Sequence, residues 1–181
     1  MFEKFTKDAR AAVTEALQVA METHSDQIDG RHLLVALAER PGPARDALSG
    51  AGLDPADVGA RARASITEGE ALDAEVLAGV GIDLAEVERR TEASFGEGAL
   101  TRARRMLRRR RRQVPFRPDA RKGLELALRE AVRLGSREIT GGHVLLGLTR
   151  DDGSPARRVL VRAGADVDRV RQLAEGTAEA A

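Results

Sequence analysis

Apolar residues in this chain recur at helical spacing, and they do so twice in the same order. After Thr6, a helix cap, the stripe Ala9, Val13, Ala16, Leu17 and Ala20 predicts one amphipathic helix. After Pro118, placed in a first turn, Ala120, Leu124, Ala127, Leu128 and Ala131 predict another. His24-Ser25-Asp26-Gln27 is a polar break, and a second helix starts at Asp29 or Gly30 and runs through Leu33, Leu34, Leu37 and Ala38. Pro41-Gly42-Pro43 ends it, because proline cannot continue the hydrogen-bond ladder. A short third helix is expected over Ala44–Gly50, with Gly52 in the left-handed position beyond its end. Asp54-Pro55 then opens a fourth helix through Val58, Ala62 and Ile66. In the later stretch Gly135 and Gly164 are stops, and Thr140 and Ser154-Pro155 are starts.

The two stretches are copies. Phe5–Leu37 runs beside Phe116–Leu148 at an offset of 111 without a gap, and 13 of 33 positions are identical. At an offset of 112, Gly42-Pro43-Ala44-Arg45 matches Ser154-Pro155-Ala156-Arg157. Both copies then share Leu-x3-Gly-x-Asp-x3-Val, as Leu48, Gly52, Asp54 and Val58 and as Leu160, Gly164, Asp166 and Val170. The pattern occurs a third time, unpaired, at Leu77, Gly81, Asp83 and Val87. The expected architecture is all-α: two tandem four-helix repeats in a pseudo-twofold arrangement, residues 1–68 and 116–176. Residues 69–100 lie between them as an extra half-repeat helix pair, Ala71–Gly79 and Leu84–Ser94. Residues 101–115 are an arginine-rich linker and 177–181 a frayed tail.

Composition narrows the function. A repeat of about 60 residues is marginal alone, so the two are expected to pack together as a monomer. With four Phe and no Tyr or Trp, the core must be aliphatic. The absence of cysteine removes disulfides, thiolate metal sites and a Cys nucleophile. The opening Met1-Phe2-Glu3-Lys4 has no apolar signal core and no run approaches a membrane span, so a cytoplasmic protein without membrane contact is expected.

The net charge of +1 hides two opposed blocks. Residues 66–100 carry nine acids against two arginines, and Arg102–Arg112 holds eight Arg in eleven residues. Arg102, Arg104, Arg105, Arg108 and Arg109 are candidates for an acidic partner, and the run could also grip a nucleic-acid backbone. No aromatics interleave with the arginines for base stacking, and a solvated linker explains the run as well.

No phosphate loop, dinucleotide fingerprint, nucleophile elbow or His-Glu-x-x-His occurs, so no catalytic residue and no cofactor is expected. His32 and His143 occupy equivalent places just inside a helix, where a side chain that packs and hydrogen-bonds at the helix start is the simpler reading. Phe5 and Phe116 suit hydrophobic staples. Phe2 has no counterpart that repeat packing would demand.

Met1-Phe2-Glu3-Lys4-Phe5-Thr6, Pro115-Phe116-Arg117-Pro118-Asp119-Ala120-Arg121-Lys122 and His143-Val144-Leu145-Leu146-Gly147-Leu148 together resemble the double Clp N-terminal repeat of the Clp-type AAA+ unfoldases, the ClpC type above all. The resemblance covers both repeats, about 130 residues, and leaves out the half repeat and the arginine run. It implies an all-α pseudo-dimer that recruits substrates and adaptor proteins, here as a free-standing domain without the ATPase ring. By that resemblance Phe2 and Phe116 match two phenylalanines lining a site for cyclic-peptide antibiotics. Phe2, Phe5, Phe116, Arg10 and Arg121 are accordingly the candidate residues for a hydrophobic or cyclic peptide. Family members that bind phosphoarginine carry a glutamate before each motif histidine, where this chain has Arg31 and Gly142. The functional expectation is a non-catalytic adaptor, competitor or decoy in Clp proteolysis. A nucleic-acid-associated protein using Arg102–Arg112 is the alternative.

Overall fold

A computed structural model describes residues 2–79, 89, 90, 93, 96 and 114–179. It divides into two compact units, residues 1–66 with 115–181 and residues 67–114. After a 3-10 turn at Phe2–Lys4, the first repeat consists of α1 (Lys7–Glu22), α2 (Gly30–Glu39), α3 (Pro43–Gly50) and α4 (Pro55–Gly79). The second consists of α5 (Pro118–Arg133), α6 (Gly141–Arg150), α7 (Pro155–Arg162) and α8 (Val167–Glu179). Among the described residues there is no strand, only single bridges Phe5–Ile139 and Ile28–Phe116. The all-α expectation is met.

Helices α2 and α6 form the centre. Leu33 to Ala38 and Gly141 to Thr149 are buried without interruption, as a helix apolar all round must be. Around them α1 and α5 bury Ala9, Ala12, Ala16 and Ala120, Gly123, Ala127, so helices meet at close range. The approach is tightest between α5 and α6, where a Cβ on Gly147 would lie 2.1 Å from the Gly123 carbonyl oxygen. The aligned pair in the first repeat is Ala12 and Ala36. Helix α8 crosses to the other repeat, packing on α3 as well as on α6. There the Thr177 hydroxyl donates to the Pro43 carbonyl at 3.0 Å.

After α1, α3, α5 and α7 a left-handed residue closes the last turn. Gly52, Gly135 and Gly164 have φ of +80°, +70° and +79°. Beyond each, the next N–H bonds back into the helix: Leu53 to Leu48, Ser136 to Ala131 and Ala165 to Leu160. The fourth stop is His24, aligned with Gly135, at φ +61° with Ser25 donating to Ala20. Its sequence disguises it, since histidine is not a residue that announces this conformation.

Two expectations are corrected. Thr6 does not cap α1 with its side chain; its hydroxyl meets Asp8 and the Ile139 carbonyl instead. Gly69 does not end the fourth helix, so the residues expected as a separate helix, Ala71–Gly79, continue α4. A glycine inside a helix is only about 1 kcal/mol worse than alanine, too little to force a break. Of Leu84–Ser94, residues 89, 90 and 93 are described, and these are helical. The rest of that helix and Arg102–Arg112 lie outside the described residues.

Candidate functional site

The two repeats are joined by a reciprocal exchange. Thr6 N–H donates to Ile139 at 3.0 Å and Ile139 N–H to Lys4 at 2.7 Å. On the other side Ile28 N–H donates to Pro115 at 2.9 Å and Arg117 N–H to Ile28 at 2.8 Å. The carboxylate of Asp8 accepts the Gly141 N–H at 2.8 Å, and that of Asp119 accepts the Gly30 N–H at 2.9 Å. Each first helix therefore supplies an anion to the positive N-terminal end of the other repeat's second helix. Asp8/Asp119, Ile28/Ile139 and Gly30/Gly141 were all identical pairs in the sequence echo, and their bonds express the pseudo-twofold directly.

The two motif histidines complete these helix starts. His32 and His143 are buried, and each Nδ1 accepts the N-cap main-chain N–H, from Asp29 and Thr140, at 3.1 Å. This is a capping box with histidine in the third position, as their structural reading expected. The proton then sits on Nε2. For His32 it faces the Thr23 hydroxyl at 3.5 Å, whereas His143 Nε2 is buried with no hydrogen-bond partner. The residue aligned with Thr23 is Leu134, which offers no acceptor. Burial pushes the His143 pKa down, against the pull of Glu130 and Asp8.

The candidate peptide-contacting residues separate. Phe5 is 1% exposed and belongs to the core, so it presents no surface for a peptide. Phe116, at the same place in the second repeat and bridged to Ile28, is only half-buried. Arg10 and Arg121 are exposed. The side chain of Phe2 lies outside the described residues. A hollow of about 320 Å³ opens beside the Thr6–Ile139 junction, walled by Thr6, Leu134, Ser136, Arg137, Glu138 and Thr140. Phe5, Phe116, Arg10 and Arg121 do not line it. Among the described residues no group of three His, Asp or Glu is placed to hold a metal ion.

The Clp repeat (R) N-terminal domain model matches residues 4–73, 62–162 and 115–180, which together span nearly the whole chain. The chain belongs to the Clp repeat N-terminal domain family. Over 59 residues, 33% of the chain, it is 46% identical to the chloroplastic ClpA homolog, an ATP-dependent Clp protease ATP-binding subunit, of Brassica napus. The same figures hold for the chloroplastic chaperone protein ClpC1 of Oryza sativa subsp. japonica. The chain spans only 6 to 7% of the length of these relatives. In structure it is similar to the N-terminal domain of the caseinolytic protease associated chaperone ClpD from Arabidopsis thaliana, with a TM-score of 0.60 and 20% identity. That likeness covers 96% of each chain and is one of fold.

Within this Clp repeat fold the positions before the motif histidines are occupied by internal work. Arg31 donates through Nε and Nη2 to Asp29 and through Nη1 to the Ser65 carbonyl, tying the start of α2 to α4. Burial raises the Asp29 pKa, but its contacts with His32 and Arg31 and the Arg31 charge outweigh it and hold the carboxyl far below its usual range. An arginine so engaged has little left for a phosphate. Gly142 lies beneath α8, where a Cβ would meet the Ala174 carbonyl and the Ala178 methyl at 3.1 Å. Neither position was legible in the sequence beyond the missing carboxylates, because each meets a fourth helix distant in the chain, Arg31 at Ser65 and Gly142 at Ala174 and Ala178. Also among the described residues, no helix is long and apolar enough to cross a membrane.

Proposed function

We propose that the chain is a non-catalytic peptide- and protein-binding module that modulates Clp-type proteolysis, as an adaptor, a competitor or a decoy for an unfoldase N-domain. One observation carries the reading. Phe5 and Phe116 have the same place in their repeats and the same main-chain bridge, yet one ring is in the core and the other is half-exposed. A partly exposed aromatic on a rigid helix start, in a chain with only four Phe, is the kind of anchor that hot spots use. Phe116, with Phe2 from the N-terminal turn, receives a hydrophobic or cyclic peptide, and Arg10 and Arg121 flank it. Rim charges of that kind steer association more than they set affinity. The reading needs an aqueous compartment; the cytoplasm is the expected one, though the relatives named above are chloroplastic.

The test is a degradation assay with a purified Clp ATPase, its peptidase and a model substrate, into which the chain is titrated. A saturable change of rate, absent with Phe116→Ala, is expected. An unchanged rate at every concentration would rule the reading out.

A further inference from the structure

The inner faces of the two fourth helices share part of their apolar pattern. Val58, Ala62 and Ile66 of α4 and the aligned Val170, Ala174 and Ala178 of α8 are all buried. Both helices enter through the same Leu-x3-Gly-x-Asp-x3-Val turn. The ion pairs differ, and they differ in a regular way. In the first repeat Arg63 of α4 bridges Glu22 at the end of α1 and Glu39 at the end of α2, at 2.8 and 2.9 Å. In the second repeat the residue aligned with Arg63 is Glu175, and those aligned with Glu22 and Glu39 are Arg133 and Arg150. Glu175 pairs with Arg133, and the buried Glu130 holds Arg133 and Arg150 together. Glu130 replaces Val19 of the first repeat. The residues capping the second helices follow suit: Arg40 pairs with Glu15, whereas its counterpart Asp151 pairs with Lys122. At four aligned positions the sign is reversed, and three of these pairs of positions, Glu22/Arg133, Glu39/Arg150 and Arg63/Glu175, belong to the cluster beside the fourth helix.

We infer that these sign-reversed ion-pair clusters are a pairing code, which makes each fourth helix specific for the first two helices of its own repeat. Placing α8 in the first repeat would set Glu175 against Glu22 and Glu39. Placing α4 in the second would set Arg63 against Arg133 and Arg150. Misassembly between similar units is the characteristic failure of repeat chains, and the shared valine and alanine positions of the two fourth helices leave part of the choice to charge. Exposed ion pairs add little to stability, but a wrong placement exchanges attraction for like-charge repulsion. Two pairs join α4 to its repeat and one joins α8 to its own, so the choice shifts by about tenfold for a misplaced α4 and by less for a misplaced α8.

The experiment rewrites one code in the other's signs. The variant Glu22→Arg/Glu39→Arg/Arg63→Glu keeps the pairs of the first repeat but gives both repeats the same polarity. It is compared with the parent and with Arg63→Glu alone. Two readouts are taken: thermal melting, and the species formed on rapid dilution from denaturant, separated by size-exclusion chromatography. Arg63→Glu should melt lower, and the triple variant should recover most of that loss because its pairs are restored. The triple variant should nevertheless form about tenfold more misassembled or dimeric product than the parent. Equal monomer yield for the triple variant and the parent would overturn the code. So would failure of the two arginines to rescue Arg63→Glu, since the cluster would then not be a matched pair set.

Discussion

Gly147→Ala isolates the tightest approach at any described glycine. An added Cβ would lie 2.1 Å from the Gly123 oxygen, 2.6 Å from the Ala127 nitrogen and 3.1 Å from the Ala127 Cα. All three are main-chain atoms, so no rotamer change relieves the clash. Helices α5 and α6 must separate by about 1 Å, a gap that forfeits a quarter to a half of each contact's dispersion along the seam. Overpacking of this kind costs about 1–3 kcal/mol or more, while alanine returns about 1 kcal/mol of helix propensity. With main chain on both sides the upper end applies, and a net loss of about 2 kcal/mol should lower the melting temperature by about 4–8 °C. The control is Gly176→Ala, also helical, where an added Cβ meets nothing within 4 Å. Thermal circular dichroism and guanidinium midpoints on both variants provide the comparison. Gly176→Ala should melt at or above the parent. If Gly147→Ala does so too, the close approach is not what the glycine is for.

Other consequences are as specific. His24→Gly should stabilise by about 0.5–1 kcal/mol, because His24 holds the left-handed position that glycine fills at the other three stops; an unchanged midpoint would contradict it. Leu134→Thr should exceed its isostere Leu134→Val by about 1 kcal/mol, since the hydroxyl gives His143 Nε2 the partner that Thr23 gives His32. The folded pKa of His143 is lowered, so its contribution is complete above about pH 6.5 and is lost as pH falls below that. The carboxyl pKa values of Asp29 and Glu130 are lowered as well, and their contributions persist down to about pH 4 before being lost. Stability should therefore decline in two steps on acidification, and His143→Gln should remove the upper one from urea midpoints measured against pH.

The sequence made some of this legible and concealed the rest, for physical reasons. Caps and stops that rest on one residue type, such as Asp29, Gly52, Pro55 and Gly164, could be read locally. The duplication supplied the pseudo-twofold before any contact was known, and Asp8, Asp119, Ile28 and Ile139 then proved to be the residues that make it. His24 was hidden because its conformation, not its chemistry, matches Gly135. Phe5 and Phe116 were equivalent in the alignment, and only burial separates them. The reversed ion pairs could not be read at all, since each joins residues from two or three helices far apart in the chain. The role of Arg31 was hidden too, since its bond to the Ser65 carbonyl ties α2 to the distant α4.

The central claim is that Phe116 is an anchor for a bound peptide and not a support for the core. Calorimetric titration of a hydrophobic cyclic peptide into the chain and into Phe116→Ala, with melting temperatures recorded on the same samples, tests it directly. Burial of one Phe side chain against a partner contributes about 1.5–3 kcal/mol, so Phe116→Ala should weaken binding by about tenfold to a hundredfold at a nearly unchanged melting temperature. A lowered melting temperature with unaltered affinity would show that the ring belongs to the fold, and the account of the binding surface would be wrong.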